Sequence, residues 1–161
     1  MCCGAPGPHE HRVRQAAQSA GLDARAVFPG YVSDRELEAL LAGAKALIFP
    51  SLYEGFGMPL LEAMEAGCPV LASATAGLPE IGGQAYFAFD PLDVEAIGDA
   101  IARIDSDPTL VTALIERGKE RARLFGDAER MAHEYLAVFR DTLSVTAAVG
   151  ESGLALRQIR L

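Results

Sequence analysis

The order of apolar and polar positions along the chain predicts helices and strands in alternation. Residues 9–20 carry Val13, Ala16, Ala17 and Ala20 at helical spacing, and Gly21 stands where such a helix would be capped. "ARAVFPG" (24–30) reads as a short strand closed by Pro29–Gly30. "SDRELEALLAGA" opens a helix on a capping box of Ser33 and Glu36, with Leu37, Leu40, Leu41 and Ala44 as its apolar face. "KALIFPS" (45–51) is a nearly continuous apolar run stopped by proline, the pattern of a strand buried on both faces of a parallel sheet. A helix follows from about Pro59 to Ala66 with Gly67 as its cap, and then two more buried strands, "CPVLAS" (68–73) and "AYFAFD" (85–90). Val94, Ile97, Ile101 and Ile104 mark an amphipathic helix. Asp107–Pro108 opens a second, and Asp127 a third with Met131, Tyr135, Val138 and Phe139 facing inward. Residues 144–161 are weakly patterned and receive no assignment.

That alternation predicts an α/β fold, a Rossmann-like parallel sheet with helices on both faces. A chain of 161 residues can bury a real core in one compact domain, placed here at residues 1–143 with 144–161 as a tail. "MCCGAPG" reads as the last residues of a buried strand and its exit loop, so the domain is expected to lack its first strand–helix unit.

Composition narrows the partners. A formal net charge of -8 weighs against nucleic acid, whose binding needs a basic surface, and mildly against an anionic membrane. No apolar run is long enough to span a bilayer, and the first residues lack the basic and apolar regions of a signal peptide. Cys2, Cys3 and Cys68 are an odd number without metal-ligand spacing, which suits reduced thiols in the cytoplasm. His9, His11 and His133 complete no ligand set, and His9 and His11 read as the start of a solvated helix.

The chemistry concentrates in "YEGFGMPLLEAMEAGCPV" (53–70), the loop and helix after the strand "KALIFPS". In open parallel sheets, ligands bind beyond the carboxyl ends of the strands. Gly55 and Gly57 permit a sharp turn and close approach of backbone to ligand. The start of the helix offers unpaired N–H groups and partial positive charge to an anion such as phosphate. Glu54 and Glu62 flank that point, and carboxylates accept from paired hydroxyls on a sugar or ribose. Phosphate in the middle and hydroxyl-rich rings at both ends describe a nucleotide sugar. Plain structural readings stand beside this one. Glu54 suits an exposed loop, Glu62 suits the helix dipole, and Glu65 is a solvated helix position.

The stretch "FPGYVSDRELEALLAGAKALIFPSLYEGFGMPLLEAMEAGCPVLASATAGLPEIGG" resembles the C-terminal domain of GT-B fold, family-4-type retaining glycosyltransferases, the glycosyl transferases group 1. The likeness runs from about Gly4 to Leu143 and is densest over 28–91, and "PSLYEGFGMPLLEAM" is its most specific part. The resemblance implies that Glu54 holds a hydroxyl of the donor sugar near the transferring carbon. Gly55, Phe56 and Gly57 would present backbone N–H groups to sugar and diphosphate, with Met58, Pro59 and Leu60 beside the phosphates. Glu62 would accept from the ribose hydroxyls. Tyr31 and Val32 would border the base, with ordinary loop packing as the other account of that pair.

The resemblance further implies transfer with retention through an oxocarbenium-like state, no divalent metal, and no cofactor beyond the donor itself. It also implies an acceptor-binding N-terminal domain and a basic Arg/Lys pair for the diphosphate. Arg12, Arg14 and Lys45 do not match that pair. The expected function is that of the C-terminal part of a glycosyltransferase, inactive by itself. The alternatives are a non-catalytic nucleotide-sugar-binding or interaction module and, within the same fold, an epimerase or phosphorylase domain.

Overall fold

A computed structural model describes residues 1–22, 24–126 and 128–151, for 128 and 144–151 the backbone alone. The chain divides into two units, Met1–Ala122 and Arg123–Leu161.

The first unit is built on three parallel strands, β1 (Leu47–Phe49), β2 (Val70–Ser73) and β3 (Phe87–Phe89), in the order β1-β2-β3. Leu47 pairs with Val70 and Phe49 with Ala72, while Leu71 pairs with Phe87 and Ser73 with Phe89. Around them run α1 (Glu10–Ser19), α2 (Asp34–Gly43), α3 (Met58–Glu65), α4 (Leu78–Gly82), α5 (Val94–Ser106) and α6 (Pro108–Phe125). All four residues of β2 are buried, as a central strand covered on both faces must be. This is the Rossmann-like α/β layer that the hydrophobic pattern predicts.

The core has two identifiable blocks. Leu71 of β2 and Phe89 of β3 pack with Ala100 and Ile104 of α5 and Leu114 of α6. Leu60, Ala63 and Met64 of α3 are also buried, and α3 packs on β1 and β2. Full burial of a side chain such as Leu60 or Met64 contributes about 1.5–3 kcal/mol. Helix α6 approaches α3 closely. A Cβ on Gly118 would lie 3.1 Å from Met64 Cγ, so a larger residue there requires the Met64 side chain to shift. Arg121 of α6 donates from Nε to the Ile81 carbonyl at 2.7 Å and from Nη2 to the Glu80 carbonyl, satisfying α4 at the end where carbonyls lack helical partners.

Capping follows the sequence closely. Ser33 donates from its backbone N–H (2.8 Å) and its hydroxyl (2.6 Å) to Glu36 Oε2 at the start of α2. Asp93 accepts from the N–H groups of Glu95 and Ala96 at α5, and Asp107 accepts from Leu110 N–H at α6. Helix α3 closes on a Schellman pair, with Gly67 N–H donating to Met64 O at 3.1 Å and Cys68 N–H to Ala63 O at 2.8 Å.

Several expectations are corrected. Residues 24–30 do not form a strand. A single parallel bridge joins Cys3 to Gly30, flanked by bonds from Cys2 N–H to Val27 O and from Gly4 N–H to Gly30 O. Pro29 has no N–H, so the ladder cannot be extended through it. Cys2 and Cys3 are exposed, so residues 1–7 are not the end of a buried strand. Strand β1 is not buried on both faces, because Ile48 is 41% exposed. Helix α1 forms as expected but buries none of its residues, and Val13 is exposed. Of the α2 face, Leu41 is buried, Leu37 and Leu40 are half-buried, and Ala44 is an exposed cap. On α5 the inward stripe is Ala96, Ile97, Ala100 and Ile104, while Val94 and Ile101 are exposed. Helix α4, five residues long, is not anticipated by periodicity, which needs more than one turn to show.

The second unit contains α7 (Ala128–Glu151), so part of the unassigned 144–161 segment is helical. The Asp127 cap and residues 152–161 lie outside the described residues. Met131, Tyr135, Val138 and Phe139 do not face inward. All four are exposed, and the Tyr135 and Phe139 rings sit 6.5 Å apart along the helix. Among the described residues of this unit, no sheet or second full helix is present to cover that stripe.

Candidate functional site

Two loops meet at the carboxyl ends of β1 and β2. The first, residues 50–57, leaves β1 at Pro50 and enters α3. The second, residues 74–77, leaves β2 and enters α4. They touch backbone to backbone. Gly77 N–H donates to the Glu54 carbonyl at 3.4 Å, and a Cβ on Gly77 would stand 2.8 Å from the Gly55 carbonyl oxygen. Any side chain at Gly77 therefore pushes the loops apart. Gly57 needs to be glycine twice over. Its φ is +81°, and a Cβ there would come 2.5 Å from Leu78 Cδ2. Gly55 needs to be glycine for neither reason, having no left-handed φ and nothing within 4 Å of its Cβ position. The sharp turn read from both glycines is made at Gly57.

Gly57 is the N-cap of α3, which begins at Met58 rather than Pro59. Pro59 has no N–H, and the Leu60 N–H donates to Gly57 O at 3.0 Å. The helix start thus offers an anion the N–H of Met58 together with the dipole of the first turn. Met58 and Glu62 are four residues apart, so they share a helix face, and both are exposed. Glu54 is half-buried, Gly55 and Phe56 are exposed, Gly57 is buried and Pro59 is half-buried. Leu60 is fully buried, so its side chain belongs to the core and not to a ligand site. Tyr31 is exposed and Val32 half-buried, on the segment that follows the Cys3–Gly30 bridge and precedes α2.

Other residues of this corner carry weak signals in the sequence. Leu52 and Tyr53 are exposed beside Glu54, Tyr53 by 83%, and with Phe56 and Met58 they give the loop an apolar rim. Ala76 adopts φ +52°, the only left-handed non-glycine among the described residues, at the tip of the second loop. An alanine in that region carries strain of about 1–2 kcal/mol. The residues "ATAGLPE" (74–80) contain the turn-forming glycine and proline that could have flagged this loop, but their partners are some twenty positions away.

Titratable groups elsewhere do not compete for the chemistry. Cys68 is buried in the core, and burial pushes its thiol up, away from the reactive thiolate. Burial likewise raises the Tyr86 hydroxyl. Among the described residues no group of three or more His, Cys, Asp or Glu is placed to hold a metal ion, and no helix is long and apolar enough to cross a membrane. An open depression of about 440 Å³ lies over Pro108, Thr109, Thr112, Ala113 and Glu116 of α6. It is walled by one helix, away from the strand ends where ligands of such sheets bind.

The sequence model of the family described as "Glycosyl transferases group 1" matches residues 2–121. The chain belongs to that family. It is 43% identical over 98 residues to the O-antigen chain mannosyltransferase B of Escherichia coli, an alignment covering 61% of this chain and 26% of that protein. Among solved structures it is similar to sucrose-phosphate synthase from Thermosynechococcus elongatus, with a TM-score of 0.78 and 28% identity over 89% of this chain and 38% of that one. The fold is also shared with Anabaena Alr3699/HepE, solved in complex with UDP, with a TM-score of 0.77 and 21% identity over 86% of this chain and 40% of the other. The chain thus spans about a quarter to two fifths of the length of these family members.

Proposed function

We propose that the chain forms the donor side of a glycosyltransferase, binding a nucleotide diphosphate sugar at the loops after β1 and β2 for transfer with retention. The observation that carries this is the junction of Glu54, left-handed Gly57 and the first turn of α3 at the carboxyl end of the sheet. In this reading the diphosphate lies against the Met58 N–H and the helix dipole, where developing charge on the leaving group is stabilised without reorganisation. Glu54 accepts from a hydroxyl of the donor sugar. Glu62, on the same helix face as Met58, accepts from the ribose hydroxyls. Tyr31 and Val32 border the base. The UDP of the Anabaena protein, which has this fold, supports a nucleotide ligand. The acceptor is held by a part of the enzyme that these 161 residues do not include, in keeping with the share of the relatives they span.

Calorimetric titration with UDP, GDP and ADP tests the assignment. Glu62→Ala should weaken the preferred nucleotide roughly tenfold or more, since a hydrogen bond to a charged group contributes about 1.5–3 kcal/mol. Binding that is equal in parent and variant would remove Glu62 from the site.

A further inference from the structure

Pro50 has no N–H and ends the β1 ladder, yet the segments that leave β1 and β2 remain joined beyond it. One side-chain bond backs the last residue of β1, and two more continue the connection beyond Pro50. Ser73 Oγ donates to Phe49 O at 3.4 Å, Thr75 Oγ1 donates to Ser51 O at 3.2 Å, and Gly77 N–H donates to Glu54 O at 3.4 Å. Side-chain hydroxyls stand in for the missing rungs. The last part of the chain of contacts reaches the carboxylate itself, because Ser51 Oγ lies 3.3 Å from Glu54 Oε1 and 3.1 Å from Tyr53 O. A hydroxyl has one proton to give. The carbonyl is slightly nearer, but the carboxylate carries charge and is the stronger acceptor.

We propose that Ser51 and Thr75 are positioning residues for Glu54: Thr75 fixes the Ser51 backbone through its carbonyl, and the Ser51 hydroxyl holds the Glu54 carboxylate in place to meet the donor sugar. This rests on the reading that Glu54 accepts from a hydroxyl of that sugar. A free glutamate side chain gives up rotational freedom when it binds, and one held beforehand gives up less. The effect belongs to the sugar alone, since the diphosphate is held by α3 and not by Glu54.

The test compares a nucleoside diphosphate with its sugar conjugate on the 161-residue chain. UDP against UDP-glucose and GDP against GDP-mannose are titrated by ligand-observed NMR. Ser51→Ala and the near-isosteric Thr75→Val should each weaken the sugar nucleotide by roughly three- to tenfold, the scale of one hydrogen bond, and leave the diphosphate nearly unchanged. Thr75→Ser, which keeps the hydroxyl, should restore most of the loss. Equal weakening of both ligands would mean general loop damage and would overturn the inference. Glu54→Ala separates the two levels of the claim. If it leaves the difference between sugar nucleotide and diphosphate intact, or if the parent shows no difference, the Glu54 reading fails and the inference with it. If Glu54→Ala removes the difference while Ser51→Ala and Thr75→Val do not, the positioning role alone fails.

Discussion

At the scale of the residue, two glycines on the facing loops have opposite standing. Gly77 has an ordinary helical φ of -75°, so an alanine there is not strained, but its Cβ would meet the Gly55 carbonyl oxygen at 2.8 Å. Neither backbone can yield without opening the contact between the loops. Gly77→Ala should therefore cost about 1–3 kcal/mol, as overpacking typically does, and should weaken nucleotide binding as well. Gly55→Ala meets nothing within 4 Å and should stay within about 0.5 kcal/mol of the parent. Thermal melts of both variants decide the matter, and equal melting temperatures would show that the loops do not press on each other as described. The sequence singles out Gly55 and passes over Gly77. Gly55 sits inside the eye-catching EGFG, whereas the demand on Gly77 comes from a backbone 22 positions away, which no local pattern reports. For the same reason Ser51 and Thr75 pass unnoticed: a hydroxyl is a site residue only once its partner is known.

At the scale of the element, what depends on neighbours in sequence is legible and what depends on neighbours in space is not. The caps at Ser33 and Asp107, and the three strands of the sheet, are legible because each involves residues three apart or a short apolar run, whereas the Asp93 cap passes unread. The absence of a strand at 24–30 and the exact inward face of α5 are not legible, the first because Pro29 interrupts a ladder already short of partners, the second because the sheet selects Ala100 over the more apolar Ile101. The α2 cap gives a pH-dependent prediction. The Ser33 hydroxyl first, and the Ser33 N–H second, hold the Glu36 carboxyl below its ordinary value. A carboxylate lowered in the folded state contributes stability that is present above its unfolded pKa, about 4.3, and is lost as pH falls through the folded pKa. Ser33→Ala should thus melt below the parent at pH 7, and the gap should narrow as the pH is taken from 5 towards 3. A gap of constant size across that range would show that the carboxylate is not involved.

At the scale of the whole molecule, the family and the α/β layer follow from a match spanning residues 2–121 and from a parallel sheet similar to that of sucrose-phosphate synthase. A left-handed glycine, the first turn of α3 and a loop from β2 bonded to the Glu54 backbone come together at the strand ends, and the proposed function puts the ligand there. The claim at the centre is that these two loops, and no other surface, receive the nucleotide sugar. Backbone amide NMR of the chain, titrated with UDP-glucose and GDP-mannose, tests it most directly. The account predicts that the largest shift changes fall on Glu54 to Met58, Leu60 to Glu62, and Gly77. Changes centred on the α6 depression at Pro108–Glu116 with the loops silent, or no change at millimolar ligand in a folded chain, would contradict it.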